Sequence, residues 1–126
     1  MSAIMKFNWV QIASILMFFA VGFGAFGAHA LKAKLNDYSL DVYKTAVLYH
    51  FVHAVALFIV AWLASQNADP KINLAGVFFT LGIVLFSGSL YLIAITTIKK
   101  IGIITPFGGL AFLTGWILLA ISKTNL

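Results

Sequence analysis

Four long apolar runs, separated by short polar connections, dominate the pattern of the chain. The runs cover residues 10–31, 45–64, 74–96 and 101–122. At about 1.5 Å per residue, each run is long enough to cross the hydrocarbon core of a bilayer as a helix. The pattern therefore predicts an all-α membrane protein that forms a single integral membrane domain, an antiparallel bundle of four transmembrane helices.

The connections between the runs cover residues 32–44, 65–73 and 97–100. The last connection is so short that it forces the third and fourth helices into an antiparallel hairpin. The first connection, KAKLNDYSLDVYK, is the only one with room for a short helix of its own. Asn36 or Ser39 would cap that helix.

The first run is predicted to be a retained helix rather than a cleaved signal peptide. Lys6 gives a basic start, and the AHA sequence at residues 28–30 resembles a cleavage site. However, the apolar core of a signal peptide is about 7–15 residues long, and this run is longer.

Composition agrees with a bilayer environment. Hydrophobic residues make up 63% of the 126 residues and charged residues only 9%, with a mean hydropathy of +1.06. A water-soluble fold of this size could not hide so much apolar surface, because even folded proteins leave much of their area exposed. The chain has no cysteine, which excludes disulfides, thiolate metal sites and cysteine nucleophiles.

The net charge of +5 comes from lysines that lie at the ends of the runs and form no basic face. This distribution favours anchoring at the membrane surface over nucleic-acid binding. Lysines are more numerous around the first and third connections, which predicts that these connections face the cytoplasm and that both termini lie outside. The two groups are Lys32, Lys34, Lys44, Lys99 and Lys100 against Lys6, Lys71 and Lys123. Trp9, Trp62 and Trp116 lie on the terminal side, where aromatic rings anchor helices at the interface.

Polar residues within the runs concentrate in the half of the membrane that borders the first and third connections. Counting at about 1.5 Å per residue from the flanking lysines places them within about 18 Å of that surface. A polar group that faces lipid finds no hydrogen-bond partner, so these side chains are expected to face inward and to form one site. The candidate ligand-binding residues are His29, Tyr49, His53, Ser87, Ser89, Tyr91, Thr105 and Pro106.

Two features of this candidate site give specific structural expectations. His29 is expected to face the bundle and to hydrogen-bond to another span, at Tyr91 or at backbone freed near Pro106. Pro106 removes one backbone donor and clashes with the preceding turn, so a kink or break is expected near Thr105–Gly109.

Small residues within the runs predict where helix backbones approach closely, because membrane helices associate through such surfaces. The expected helix-packing residues are Ala20, Gly24, Ala28, Gly88, Gly108 and Gly109.

Catalytic interpretations are weaker than a binding role. His29 and His53 could ligate a metal or haem from facing helices, but hydrogen bonding between helices is the more general use of such groups, so no metal and no cofactor is expected. Ser87 and Ser89 near a histidine resemble a nucleophile and its base, but the runs contain no Asp or Glu to orient that base. The sequence therefore predicts a protein that is not an enzyme.

The favoured function is binding of a lipid, a small molecule or a partner helix at the polar, glycine-rich site. The expected partners are the lipid bilayer and either further copies of this chain or another membrane protein, with no nucleic acid. The alternative is a small channel or transporter for a neutral solute or ion, built from several copies because four helices enclose little volume.

Four stretches of the chain together are similar to a known family. They are GAFGAHALK at 24–32, YHFVH at 49–53, LFSGSLY at 85–91 and ITPFGGLAFLTGW at 104–116. Over all four runs the chain resembles the YgdD/YwdK-like small membrane proteins, the domain-of-unknown-function family 423. The resemblance implies a four-helix protein of the bacterial inner membrane, with no established ligand, reaction or catalytic residue. His50 lies outside the family pattern, which ranks it below His29 and His53 as a site residue.

Overall fold

A computed structural model describes residues 7–126 of the chain, and four helical spans make up most of them. We call them spans one to four: Trp9–Leu31, Asp37–Gln66, Pro70–Thr96 and Lys99–Ile121. Each is long and apolar enough to cross a membrane, and no strand occurs among the described residues. The predicted all-α membrane fold with four spanning helices is confirmed. Lys6, the basic residue before the first run, lies outside the described residues.

Span two begins earlier than the hydropathy pattern predicts. The side chain of Asn36 accepts a hydrogen bond from the backbone N–H of Ser39 at 2.8 Å and caps a helix that runs unbroken for 30 residues from Asp37 to Gln66. The expected separate helix in the first connection is therefore wrong, because those residues form the first turns of span two. At about 1.5 Å per residue this helix is about 45 Å long, which exceeds the about 30 Å hydrocarbon core.

Spans one and three each contain a π-helical turn, which the sequence analysis did not predict. The turns are Gly27–Leu31 in span one and Ile83–Ser87 in span three. In span one, the N–H of Lys32 donates to the carbonyl oxygen of Gly27 at 3.0 Å, five residues back instead of four. Such turns change the direction in which the following side chains point.

Span four changes its helix type close to Pro106. A 3₁₀ helix covers Lys99–Ile103, and a regular α-helix follows at Thr105–Ile121. The change of helix type at Ile104 thus lies next to Thr105–Gly109, near which a kink or break was expected. Pro106 stands in the first turn of the α-helix, where its missing N–H would have no partner within the helix, so it starts the helix rather than kinking it.

Each span packs against the next along the chain, and an apolar core lies toward the terminal side. Span two packs against spans one and three, and span three packs against span four. The apolar core fills the half of the bundle where span one begins and span two ends: Trp9, Ala13, Ala56, Leu57, Val60, Leu63, Ile72, Ala75, Phe79, Ile83 and Phe112. Buried polar side chains are therefore left to the half nearer the first connection.

Glycines allow the closest contacts between spans. A Cβ at Gly108 would overlap the backbone nitrogen of Phe86, so spans four and three touch there backbone to backbone. Glycines also make room for aromatic rings: Gly82 for Phe112, Gly115 for Phe79, Gly76 for Trp9 and Gly27 for Tyr43.

The other residues expected at helix contacts lie in varied surroundings. Ala20 is fully buried, and a Cβ at Gly24 would lie 3.4 Å from the Phe51 and Val47 side chains. Ala28 is exposed, and Cβ atoms at Gly88 and Gly109 would come no nearer than 4.0 Å and 3.9 Å to a neighbour. These last three positions do not bring two spans together tightly, so the expectation for them is wrong.

Candidate functional site

His50 joins three spans through both of its ring nitrogens. Its side chain is only 3% exposed, with Nε2 2.8 Å from the carbonyl oxygen of Leu16 in span one and Nδ1 2.9 Å from the hydroxyl of Tyr91 in span three. Because a carbonyl oxygen only accepts, Nε2 carries the proton, and Nδ1 accepts from the Tyr91 hydroxyl. His50, which was ranked below His29, is therefore the histidine that bonds to spans one and three. We call the hydrogen-bonded polar side chains on and around span two the polar cluster: Tyr43, His50, His53, Ser87, Ser89, Tyr91, Thr105 and Trp116.

Tyr43 of span two packs against span one at the π turn and hydrogen-bonds to it. Its ring fills the space left by Gly27, and its hydroxyl donates to the carbonyl oxygen of Phe23 at 2.5 Å. The Tyr91 ring lies edge-on to it, with ring centroids 5.3 Å apart. Tyr43 was not among the site residues predicted from the sequence.

A periodic signal in span two could have identified both Tyr43 and His50. Buried residues recur at spacings of three and four, the pattern of a helix face packed against its neighbours. They are Tyr43, Ala46, His50, His53, Leu57 and Val60.

His53 links span two to span four and uses its nitrogens in the opposite sense. Nδ1 lies 2.8 Å from the carbonyl oxygen of Tyr49, so it carries the proton, and Nε2 accepts from the indole N–H of Trp116 at 3.1 Å. The imidazole stacks on Phe112 with centroids 3.6 Å apart. Trp116, expected only as an interfacial anchor, therefore belongs to the polar cluster.

Three hydroxyls of the candidate site bond to neighbouring spans. The Ser87 hydroxyl, fully buried in the π turn of span three, donates to the carbonyl oxygen of Ala46 in span two at 2.8 Å. The Ser89 hydroxyl donates to Phe86 of its own span at 2.9 Å and accepts from the Thr105 hydroxyl of span four at 2.5 Å. Each hydroxyl hydrogen is thus committed to an internal acceptor.

Three predicted site residues make no side-chain hydrogen bond within this cluster, although the Tyr49 ring stacks on that of His53 with centroids 6.2 Å apart. His29 is exposed and its ring makes no hydrogen bond to any described residue, so the expectation that it bonds to another span is wrong. It stands two residues beyond Gly27, which faces Tyr43, and two helical steps turn it to the far side of span one. Pro106 is exposed, and the Tyr49 hydroxyl, on a side chain 40% exposed, bonds to no described group.

The polar cluster joins the helices through hydrogen bonds. Across residues 7–126, every buried side-chain nitrogen and oxygen has a hydrogen-bond partner within the protein. No three His, Asp or Glu side chains in that part of the chain come together closely enough to hold a metal ion. A ligand would therefore meet surfaces beside the cluster rather than its polar atoms.

Two grooves lie beside the cluster and open to the surface of the bundle. The first, the lysine groove, lies between spans one and two and has a volume of about 590 Å³. It is lined by Gly24, Gly27, Ala28, Lys32, Leu40, Tyr43, Lys44, Val47, Leu48 and Phe51. The second, the aromatic groove, has a volume of about 560 Å³ and no charged side chain in its lining of Tyr49, His53, Phe86, Pro106, Gly109, Leu110, Phe112, Leu113 and Trp116.

Comparison with known proteins identifies the family. A family model described as "Protein of unknown function (DUF423)" matches residues 23–109. The chain belongs to the DUF423 family. The UPF0382 membrane protein YwdK of Bacillus subtilis is 44% identical over 118 residues, covering 93% of this chain and 96% of that protein. A UPF0382 membrane protein of Staphylococcus haemolyticus is 42% identical over 114 residues, covering 90% of this chain and 93% of that protein.

The family assignment confirms the resemblance found in the sequence and the membrane location. The DUF423 match contains the polar residues of spans two and three, whereas Leu16 and Trp116 lie outside it. No solved structure matches the chain significantly. DUF423 is described as a family of unknown function, and the relatives are named as membrane proteins.

Proposed function

We propose that this DUF423 protein is a non-enzymatic protein of the bacterial inner membrane that holds a membrane lipid in the lysine groove. The observation that carries the proposal is the groove itself, which lies between spans one and two. It has a volume of about 590 Å³ and a mainly apolar lining that includes two lysines. This volume lies within the range of about 300–1,000 Å³ that is typical of ligand sites.

The way the polar cluster is used supports binding in a groove. The imidazoles of His50 and His53 and the hydroxyls of Ser87 and Ser89 all serve as bonds between or within spans. They hold the walls of the bundle in place and leave the apolar grooves as the surfaces a guest molecule would touch. Because these polar groups already bond within the protein, a conducting path through a single chain is disfavoured. Such a path would need polar groups free to replace the water around a solute.

The groove also opens on the outer, lipid-facing surface of the bundle. Two of its lining residues, Ala28 in span one and Leu48 in span two, are exposed on the outer surface of the bundle. Between them Gly24 lines the groove and carries no side chain, which leaves a depression in the wall of span one. An acyl chain that enters from the bilayer would replace loose lipid contacts by fitted ones.

The lysine distribution supports a cytoplasmic position for this groove. Among the described residues, five lysines lie on the side of the first and third connections and two on the opposite side. Lysine excess near span ends marks the cytoplasmic side of membrane proteins. The bound lipid is then one from the inner leaflet.

The test is to fill the groove from its outer rim. Ala28→Trp places a large ring in the depression, whereas Ala25→Trp puts the same ring on an exposed position of the same span that does not line the groove. Native mass spectrometry of the purified full chain counts the lipids that remain bound. Loss of bound lipid in Ala28→Trp but not in Ala25→Trp supports the proposal, and equal retention in both variants overturns it.

A further inference from the structure

We infer that the lysine groove selects anionic phospholipids, whose head group is held by Lys32 and Lys44 while an acyl chain lies against Gly24, Val47 and Phe51. The inference rests on the proposed function, since it names the class of lipid that the same groove would hold. It depends on three features of the structure: the charge at the rim, the length of the apolar walls and the position of both lysines near the ends of their spans.

The two lysines are available to a negatively charged group. Both are exposed and both line the groove. Among residues 7–126 the one ion pair is Lys71 with Asp69, on the opposite side of the membrane, so neither Lys32 nor Lys44 has a carboxylate within pairing distance. A lysine that is buried or paired with a carboxylate would not be available to bind such a group.

The acidic residues on this side stay outside the groove. Asp37 and Asp41 are exposed in the first turns of span two, and neither lines the groove. Asp41 lies one helical turn before Lys44, so it offsets part of the charge in its vicinity. Lys32 has no comparable neighbour in the lining, and the rim keeps an excess of positive charge.

Both lysines stand at the level of the head groups. Span two is about 45 Å long, about 15 Å longer than the hydrocarbon core, so its first turns extend into the head-group layer. Lys44 lies seven residues into that helix, and Lys32 directly follows the end of span one. Long lysine side chains at such positions reach the interface with their ammonium groups.

The apolar walls continue from this level into the hydrocarbon. Gly24 lies eight residues below Lys32 and Phe51 lies seven residues below Lys44, about 10–12 Å deeper in each case. The groove is therefore charged at its outer end and apolar along its length. An anionic amphiphile matches both parts, whereas a free phosphate matches only the outer end and a neutral lipid only the inner part.

The experiment compares two lipids that differ only in the head group. The full-length protein in detergent is titrated with phosphatidylglycerol or with phosphatidylcholine of identical acyl chains, and binding is followed by native mass spectrometry. Two lysines near an anionic lipid predict a preference for phosphatidylglycerol of about 30-fold, the equivalent of about 1 kcal/mol for each lysine. Inorganic phosphate, added as a competitor at the same concentration, should displace neither lipid.

Paired variants assign the preference to the groove. Lys32→Gln with Lys44→Gln should abolish the preference and leave binding of phosphatidylcholine unchanged. Lys34→Gln with Lys100→Gln removes the same charge from the same side of the membrane at positions outside the lining, and the preference should remain. All four positions are exposed, so these variants fold as the parent does, which circular dichroism verifies.

The outcomes separate this inference from the proposed function. Equal binding of the two lipids by the parent protein, or an equal loss of preference in both double variants, overturns head-group selection and leaves lipid binding in place. Binding of neither lipid overturns both. A preference lost only in the Lys32 and Lys44 variant supports both.

Discussion

His50 and His53 lie one turn apart on the same face of span two, yet they carry their ring protons on opposite nitrogens. Nε2–H of His50 donates to the carbonyl oxygen of Leu16 in span one, whereas Nδ1–H of His53 donates to the carbonyl oxygen of Tyr49 in its own span. The remaining nitrogens accept bonds from spans three and four. Two neighbouring imidazoles thereby connect span two to each of the other three spans by hydrogen bonds.

Nuclear magnetic resonance of ¹⁵N-histidine-labelled protein should resolve these two tautomers. We expect a protonated Nε2 in His50 and a protonated Nδ1 in His53. Trp116→Phe removes the donor to Nε2 of His53, so the ring signals of His53 should shift while those of His50 stay in place. Trp62→Phe, at an exposed position that bonds to neither imidazole, is the control. The same tautomer in both rings would contradict the assignment.

Tyrosine substitutions should separate a bonded hydroxyl from an unbonded one. Tyr91→Phe leaves Nδ1 of His50 without its donor inside the bundle and should lower the free energy of unfolding by about 1 kcal/mol, the upper range for single bonds between membrane helices. Tyr49→Phe removes a hydroxyl that bonds to no described group and should change stability little. Denaturation in mixed micelles, followed by circular dichroism, measures both, and equal losses would mean that the bond to His50 contributes nothing.

The sequence predicts the fold well because the bilayer imposes a simple rule. A run of about 20 apolar residues must satisfy its own backbone hydrogen bonds, and a helix is the structure that does so within one segment. Hydropathy reports where a helix leaves the hydrocarbon, however, and not where it ends. Residues 37–44 are polar enough to be taken as a connection, yet the Asn36 cap and the continuous backbone make them part of span two.

The facing of individual side chains is harder to predict, because it depends on local helix geometry and on neighbours. The π turn at Gly27–Leu31 accompanies the Tyr43 ring that fills the space over Gly27, a contact between two spans that no single run reveals. His29 lies about 4–5 Å below Lys32, near enough to the head groups to need no partner in the bundle. The polarity of His29 alone therefore predicted the wrong facing for its side chain.

Acid should release the C-terminal segment that Asp69 holds. Backbone N–H groups of Lys123 and Lys71, together with the Lys71 ammonium, lower the pKa of Asp69 below its usual 3.8. A carboxylate whose pKa is lower in the folded state stabilises that state above the unfolded-state pKa, and this stabilisation is lost as the pH falls through the lower folded-state value. The Lys123 amide, which donates to Asp69 at 2.7 Å, should therefore lose its protection from solvent exchange, relative to the intrinsic rate at each pH, as the pH falls below 3.8.

Neutralising variants test this assignment. Asp69→Asn should give fast exchange of the Lys123 amide already at neutral pH and should remove the acid-dependent step. Asp41→Asn changes an exposed carboxylate near the opposite surface and should leave that exchange profile as in the parent. An acid-dependent step that survives in Asp69→Asn would assign the release to another group.

Alanine at two glycines should change stability in opposite directions. A Cβ at Gly108 would overlap the backbone nitrogen of Phe86, and backbone cannot turn aside as a side chain can, so spans three and four must separate. Overpacking of this kind costs about 1–3 kcal/mol. At Gly88 the nearest atom would be 4.0 Å away, and alanine favours a helix over glycine by about 1 kcal/mol. Gly108→Ala should therefore lower, and Gly88→Ala raise, the denaturant concentration at half-unfolding. If both raised it, spans three and four would not be in backbone contact at Gly108.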